Sequence, residues 1–434
     1  MNKYNLKCIQ CGYVTPDFGK WFEQNQICPK CGSKHSEVWY TTDYKELPEL
    51  FEGTPESFWR YLPFLPLNES NHIVSRHEGA IPLERWEFLE KFAKEKYGLD
   101  ITVNVYRNDL NGGTGTFKDV AASLAASIFN ENGIKQYCVA STGNTATAYG
   151  MYLSMAGVNA SIFIPENALK ASEAMISAFG QQVFRVKGDY AKAKDVAAGY
   201  AKTHNVLISS GNIDPIRVEA KKTMVFEWLR QLGKMPDVYI QAISGGTGPI
   251  AIDKGIREVS SVYPELKNPR FIMVQPDKCD PMVQAWENAE KAGFPEGFEK
   301  TYPTIDNPQT SVPTLATGSP ATYPIIAKLV KKANGTFIRM QEDRLADYAR
   351  LIAFEQKILL GPASAVCLAG FFESLKKGLI KNGETVLLNT GEGVRRAPEF
   401  VEQIMHAPTH VECASQCTPH TIDSKREALW KAVE

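Results

Sequence analysis

Gln136-Tyr137-Cys138-Val139-Ala140-Ser141-Thr142-Gly143-Asn144-Thr145 reads as a short apolar strand that runs into a turn and opens a helix near Asn144. Working outward, the same unit recurs. Ala160–Ile164 reads as a strand before a helix over Ala168–Ala178, and Val183–Val186 as a strand before a helix over Tyr190–Thr203. Val238–Ala242, Phe271–Val274 and Thr385–Asn389 are further strands. Parallel neighbours need crossover helices, so strands alternating with helical stretches predict β-α-β units. The expected fold class is α/β with mainly parallel sheets. No internal repeat and no low-complexity segment is present.

The chain has 434 residues, which allows two or three domains. Hydrophobic residues make up 44% and charged residues 22%, enough apolar material for a large core. With 48 basic and 49 acidic side chains the formal net charge is -1, so neither nucleic acid nor an anionic membrane is expected as a partner. No apolar run approaches the ~20 residues of a spanning helix. The stretch Met1 to Cys8 has no apolar signal core. Nine cysteines, four of them grouped near the N-terminus, point to metal binding and free thiols in a reducing compartment, and hence to the cytoplasm.

Those four are Cys8-Ile9-Gln10-Cys11-Gly12 and Cys28-Pro29-Lys30-Cys31-Gly32. Two C-x2-C pairs at this separation have zinc-ribbon spacing. Four thiolates satisfy tetrahedral zinc, and such a closed site is structural rather than catalytic. The glycines suit the turn that lets backbone amides approach sulfur. Cys413 and Cys417, near His406, His410 and His420, match no standard ligand set and read as part of a polar tail.

Asn111-Gly112-Gly113-Thr114-Gly115-Thr116 is a glycine-rich loop, followed by Phe117, Lys118 and a helix over Asp119–Phe129. A lysine at such a junction is fixed at Cα while its amine stays free. Schiff-base chemistry needs that, an amine that can lose and regain a proton in place. Taken alone, a lysine there is ordinarily a surface charge. Two more loops give it context. Ser141-Thr142-Gly143-Asn144-Thr145 brings hydroxyls, an amide and backbone N–H groups to a helix N-terminus, suited to an anion or a phenolate. Ser244-Gly245-Gly246-Thr247-Gly248 follows the strand Val238–Ala242, and its glycines let N–H groups cradle a phosphate. It has no Lys-Ser/Thr ending, so it is not a P-loop. Its spacing is not a dinucleotide fingerprint, which argues against a nicotinamide-dependent oxidoreductase.

With these residues in place, the chain resembles threonine synthase and its relatives among the pyridoxal-phosphate enzymes of the tryptophan-synthase β fold (fold type II). The resemblance runs from about Trp59 to about Arg396. It is carried by Trp59-Arg60-Tyr61, Val74 to Leu83, Thr116-Phe117-Lys118-Asp119, Ser141 to Thr145, Asn212 to Glu219 with Lys222-Thr223, Pro362-Ala363-Ser364-Ala365 and Thr390-Gly391-Glu392-Gly393, in that order. It implies two three-layer α/β domains with mainly parallel sheets behind an N-terminal zinc ribbon. The implied boundaries are 1–40 for the ribbon, 41–135 for the first part of a large cofactor domain, 136–210 for a small α/β domain, 211–405 for the rest of the large domain and 406–434 for a tail. By resemblance Lys118 holds the cofactor as an imine and moves substrate protons, and Asn144 bonds the cofactor's phenolic oxygen. Gly245, Gly246, Thr247 and Gly248 bind its phosphate, and Thr390 faces the pyridine nitrogen. Ser141, Thr142 and Thr145 bind the substrate carboxylate, and Cys8, Cys11, Cys28 and Cys31 hold zinc. A homodimer acting on a small phosphorylated amino acid is implied as well.

Several positions depart from the threonine synthase pattern. Val120 stands where Arg is usual, Glu392 where His is common, and Gly361 where an acidic residue is usual. The loop 244–248 is closer to cysteine synthase, and the stretch Gly233–Ala242 is similar to cysteate synthase. Thr390-Gly391 and the stretch Asn212 to Thr223 are more similar to threonine synthase, so the leading expectation is O-phosphohomoserine and water giving threonine and phosphate. O-phosphoserine and sulfite giving cysteate is the alternative. A zinc-ribbon binding protein with an altered enzyme body is the third reading.

Overall fold

The computed structural model describes residues 3–54, 56–404, 410–419 and 421–433. Its strands are β1 (Tyr4–Cys8), β2 (Val14–Thr15), β3 (Ser36–Tyr40), β4 (Leu83–Arg85), β5 (Thr102–Tyr106), β6 (Gln136–Ala140), β7 (Asn159–Pro165), β8 (Gln182–Val186), β9 (Leu207–Ile208), β10 (Val238–Ala242), β11 (Arg270–Pro276), β12 (Thr336–Met340) and β13 (Thr385–Asn389). They form three sheets. The largest has the order β12-β11-β10-β13-β5-β4, parallel except for the antiparallel edge strand β4. The second, β8-β7-β6-β9, is wholly parallel.

Each parallel sheet is covered on both faces, so its strands are apolar on both sides. Along β10, Val238 and Ile240 point to one core with Val103, Val105, Val386 and Leu388, beneath the helices Leu345–Gln356 and Pro362–Lys376. Tyr239, between them, points to the opposite core with Met273, Leu387 and the helices Pro215–Leu232 and Thr247–Val259. In the smaller sheet, Tyr137 and Val139 face the helices Asp119–Glu131 and Asn144–Met155. Cys138 faces the helix Tyr190–His204 through Ala193, Ala197 and Ala201. The result is two three-layer α/β units.

The third sheet, β2-β1-β3, is antiparallel and carries the cysteines. In each knuckle the glycine after the second cysteine is left-handed (Gly12 φ 72°, Gly32 φ 74°) and its N–H returns to the first cysteine's carbonyl at 2.9 Å. The four sulfur atoms lie within 4.8 Å of one another. This ribbon is fastened to the body: Gln26 Nε2 donates to Ile208 O at 2.8 Å and Lys254 Nζ to Val38 O at 2.7 Å. Near the C-terminus the helix Ile422–Val433 buries Leu429 and Val433 and stacks Trp430 on Phe92, so the stretch read as a polar tail includes a packed element. Cys413 and Cys417 are exposed, while His406 and His420 lie outside the described residues.

Candidate active site

Ligands in open α/β sheets bind at the carboxyl ends of the strands. Here the loops leaving β6 and β10, one from each parallel sheet, face each other across a cleft, and Lys118 stands between them. The loop before Lys118 is held by Asp119. One carboxylate oxygen accepts from Thr114 N at 3.0 Å and Thr114 Oγ1 at 2.7 Å, and the other from Thr116 N at 2.8 Å. Gly113 and Gly115 take φ of 79° and 73°, which a side chain would strain. Burial pushes the Asp119 carboxyl up to about 7.

The Lys118 amine lies 3.5 Å from the centroid of the Phe117 ring, and no carboxylate pairs with it among the described residues. Burial lowers its pKa to about 7. The nearby Arg217 charge pushes the same way and Glu392 opposes. A neutral amine near neutral pH is a usable nucleophile and base.

The loop after β6 is built around Ser141, whose Oγ accepts from Gly143 N and Ala146 N, both at 3.1 Å. Gly143 has φ 152°, and Thr142 Oγ1 reaches Thr314 O at 3.4 Å. Ser141, Thr142, Asn144 and Thr145 all line the cleft. The loop after β10 needs its glycines for space. A Cβ on Gly245 would sit 1.8 Å from Asn212 Nδ2, and one on Gly248 would sit 2.4 Å from Gln241 Oε1. Among the described residues no acceptor takes the N–H groups of Gly246, Thr247 or Gly248, although all three residues are buried. Buried N–H groups seldom go unpaired, and donors converging at a helix start suit an anion.

Thr390 is not brought to the cleft with the others. Its hydroxyl donates to Tyr106 O at 2.7 Å and accepts from Asn108 N at 3.0 Å, and its neighbour Gly391 lines the wall instead. Arg217 carries no site role in the sequence reading, yet its guanidinium lines the cleft. Its Nη2 donates to Ser209 Oγ at 2.7 Å and its Nε to Tyr149 OH at 3.2 Å, with the Tyr149 ring beneath it at 4.9 Å. The stretch Asn212–Glu219 was the available signal, but only folding brings Arg217 next to Lys118.

A free lysine amine, an unpaired N–H cradle and an amide donor fit the aldehyde, phosphate and phenolic oxygen of pyridoxal phosphate. Four clustered thiols fit tetrahedral zinc. Residues 74–391 match the model of the pyridoxal-phosphate dependent enzymes, and the chain belongs to that family. Within it, the chain is 28% identical over 412 residues to a threonine synthase of Methanocaldococcus jannaschii, covering 89% of this chain and 96% of that one. It is 26% identical over 434 residues to a threonine synthase of Methanosarcina acetivorans, covering 98% and 99%. Among solved structures, maize serine racemase superposes with a TM-score of 0.61 at 16% identity, over 84% of this chain and 97% of the racemase, which shows the shared fold.

Proposed function

We propose that this protein is a threonine synthase, removing phosphate from O-phosphohomoserine and adding water at the β carbon. One observation carries the reading: a lysine amine lowered to about 7 shares a buried cleft with two anion-holding places. One is the N–H cradle of Gly245, Gly246, Thr247 and Gly248, and the other is the Arg217 guanidinium. A cofactor phosphate and a substrate phosphate are two anions of that kind. The likeness to the two archaeal threonine synthases supports the same reading.

When bound, pyridoxal phosphate supplies an electron sink for the carbon bearing the substrate amine. Lys118 would hold it covalently through Nζ, then take and return protons at the substrate α and β carbons. Asn144 would donate to the phenolic oxygen. The N–H groups of Thr142 and Thr145 and the Thr145 hydroxyl would bind the substrate carboxylate, with Ser141 holding that loop in shape. Arg217 would neutralise the leaving phosphate, where a fixed cation in a water-poor site counts most. Thr390 would meet the ring nitrogen only after its hydroxyl turns away from Tyr106. One structural zinc on Cys8, Cys11, Cys28 and Cys31, a homodimer and a cytoplasmic setting complete the reading.

The Ser-Gly-Gly-Thr-Gly loop favours a second reading, cysteate formation from O-phosphoserine and sulfite. Product analysis separates the two. Incubation with O-phosphohomoserine should yield threonine and phosphate in equal amounts. Cysteate formed only from O-phosphoserine and sulfite would favour the second reading, and no phosphate release from either would reject both.

A further inference from the structure

Gly361 and Glu392, two of the departures noted in the sequence, meet in space. Glu392 is wholly buried just behind the cleft wall. Its carboxylate accepts from the Asn144 side-chain Nδ2, from Ala363 N at 3.0 Å and from Thr314 Oγ1 at 3.5 Å. Asn144, Ala363 and Thr314 all line the cleft, so Glu392 stands one contact away from any ligand.

On the other side of the same amide lies Arg396, also wholly buried. Its Nε donates to Asn144 Oδ1 at 3.3 Å, and its Nη2 donates to Thr147 Oγ1 at 2.6 Å and Ser172 Oγ at 3.1 Å. A neutral amide is thus held between an acceptor-only carboxylate and a donor-only guanidinium. The two ends of an amide have nearly the same shape but opposite polarity. Flipping Asn144 would set its oxygen against Glu392 and its NH2 against Arg396, and both contacts repel strongly in a low-dielectric interior. One orientation therefore persists.

Gly361 supplies the room for this arrangement. Its φ of -76° is open to any residue, so its backbone does not require glycine. A Cβ there, however, would lie 2.5 Å from Glu392 Cγ and 3.1 Å from both Glu392 Oε1 and Gly393 O. The loop that carries Glu392 also pairs with the lysine loop, through Gly393 N to Gly115 O at 3.0 Å and the Thr116–Glu392 bridge.

We infer that Glu392 is a positioning residue: with Arg396 it fixes the Asn144 amide so that one N–H stays available to the cleft, and Gly361 leaves the space that admits it. The inference rests on the proposed role of Asn144 as donor to the cofactor's phenolic oxygen. The charged groups facing Glu392 are Arg396 and Lys118.

The test uses holoenzyme carrying Glu392→Gln, which keeps the shape and removes the charge. Three quantities are read: the Kd for pyridoxal phosphate, the pH at which visible absorption changes, and the melting temperature. Cofactor binding should weaken about tenfold, the size expected for a compromised buried hydrogen bond, and the absorption midpoint should move. Gly361→Ala should weaken binding in the same direction. Added to Glu392→Ala it should cost much less, because the closest contact is gone and only the 3.1 Å approach to Gly393 O remains. A folded Glu392→Gln enzyme with wild-type Kd and absorption midpoint would overturn the inference, as would a Gly361→Ala effect that adds fully to Glu392→Ala. Lys118→Ala is the control. If it leaves the absorption in place, the cofactor reading has failed rather than this one.

Discussion

The role proposed for Lys118 turns on its proton. A folded-state pKa of about 7 means the amine is mostly neutral above that pH and charged below it. Apoenzyme should therefore react with pyridoxal phosphate at a rate that rises through pH 7, where an ordinary lysine near 10.5 would still be inert. Arg217 contributes to the lowering, so Arg217→Met should move that midpoint upward. A midpoint unmoved in the variant would sever the electrostatic link between the two. The same variant should raise KM for the phosphorylated substrate by tenfold or more, on the order of one lost charge-assisted contact, with a smaller effect on cofactor affinity. Steady-state kinetics beside a cofactor titration checks that split. Neither Arg217 nor Glu392 could be given a role from the sequence. Each works through contacts with distant segments, Arg217 beside Lys118 and Glu392 against Asn144, and linear order carries no trace of those distances.

At the scale of elements, three strand expectations coincide with the structure to the residue: Gln136–Ala140, Val238–Ala242 and Thr385–Asn389. Each holds at least three consecutive apolar residues and is closed by turn chemistry, the pattern of a strand buried on both faces. Strands β5 and β12 escaped the reading. Asn104 in the first and Arg339 in the second interrupt the apolar run, and Arg339 ion-pairs with Asp280 at 2.8 Å. The ribbon strand β1 alternates apolar with polar residues and holds no apolar run, yet the cysteine and glycine spacing located the ribbon without it. The loop after β10 was legible for the opposite reason, since its glycines mark close approaches. Gly245→Ala should force Asn212 aside and with it the Thr247 contact at 2.9 Å, weakening cofactor binding about tenfold or more. Fluorescence titration of apoenzyme would report it, and wild-type affinity in that variant would remove the loop from the account.

For the molecule as a whole, one helix connects ribbon and cleft. Pro215–Leu232 is capped by Asp214, whose side chain accepts from Ile216 N at 3.0 Å, and it delivers Arg217 to the cleft in its first turn. Two residues on, Glu219 accepts from Tyr40 of β3 at 2.6 Å and pairs with Lys222 at 2.7 Å and Lys254 at 3.3 Å. Glu258 joins both lysines at 2.8 Å. Removing one member strands buried charge, so Glu219→Ala should destabilise the fold by about 3–5 kcal/mol, visible as a large drop in melting temperature. A melt within a degree or so of wild type would contradict it. Cys31→Ser should abolish stoichiometric zinc measured by metal analysis while the yellow cofactor colour persists, since the ribbon lies outside the cleft. Loss of both together would show that the ribbon supports the site. The central claim is that Lys118 carries the cofactor. Borohydride reduction of holoenzyme, followed by peptide mass mapping, tests it directly. A pyridoxyl phosphate mass is expected on the peptide containing Lys118 and nowhere else. The same mass on Lys221, the other buried lysine beside the Phe117 ring at 4.8 Å, or on no peptide, would contradict it.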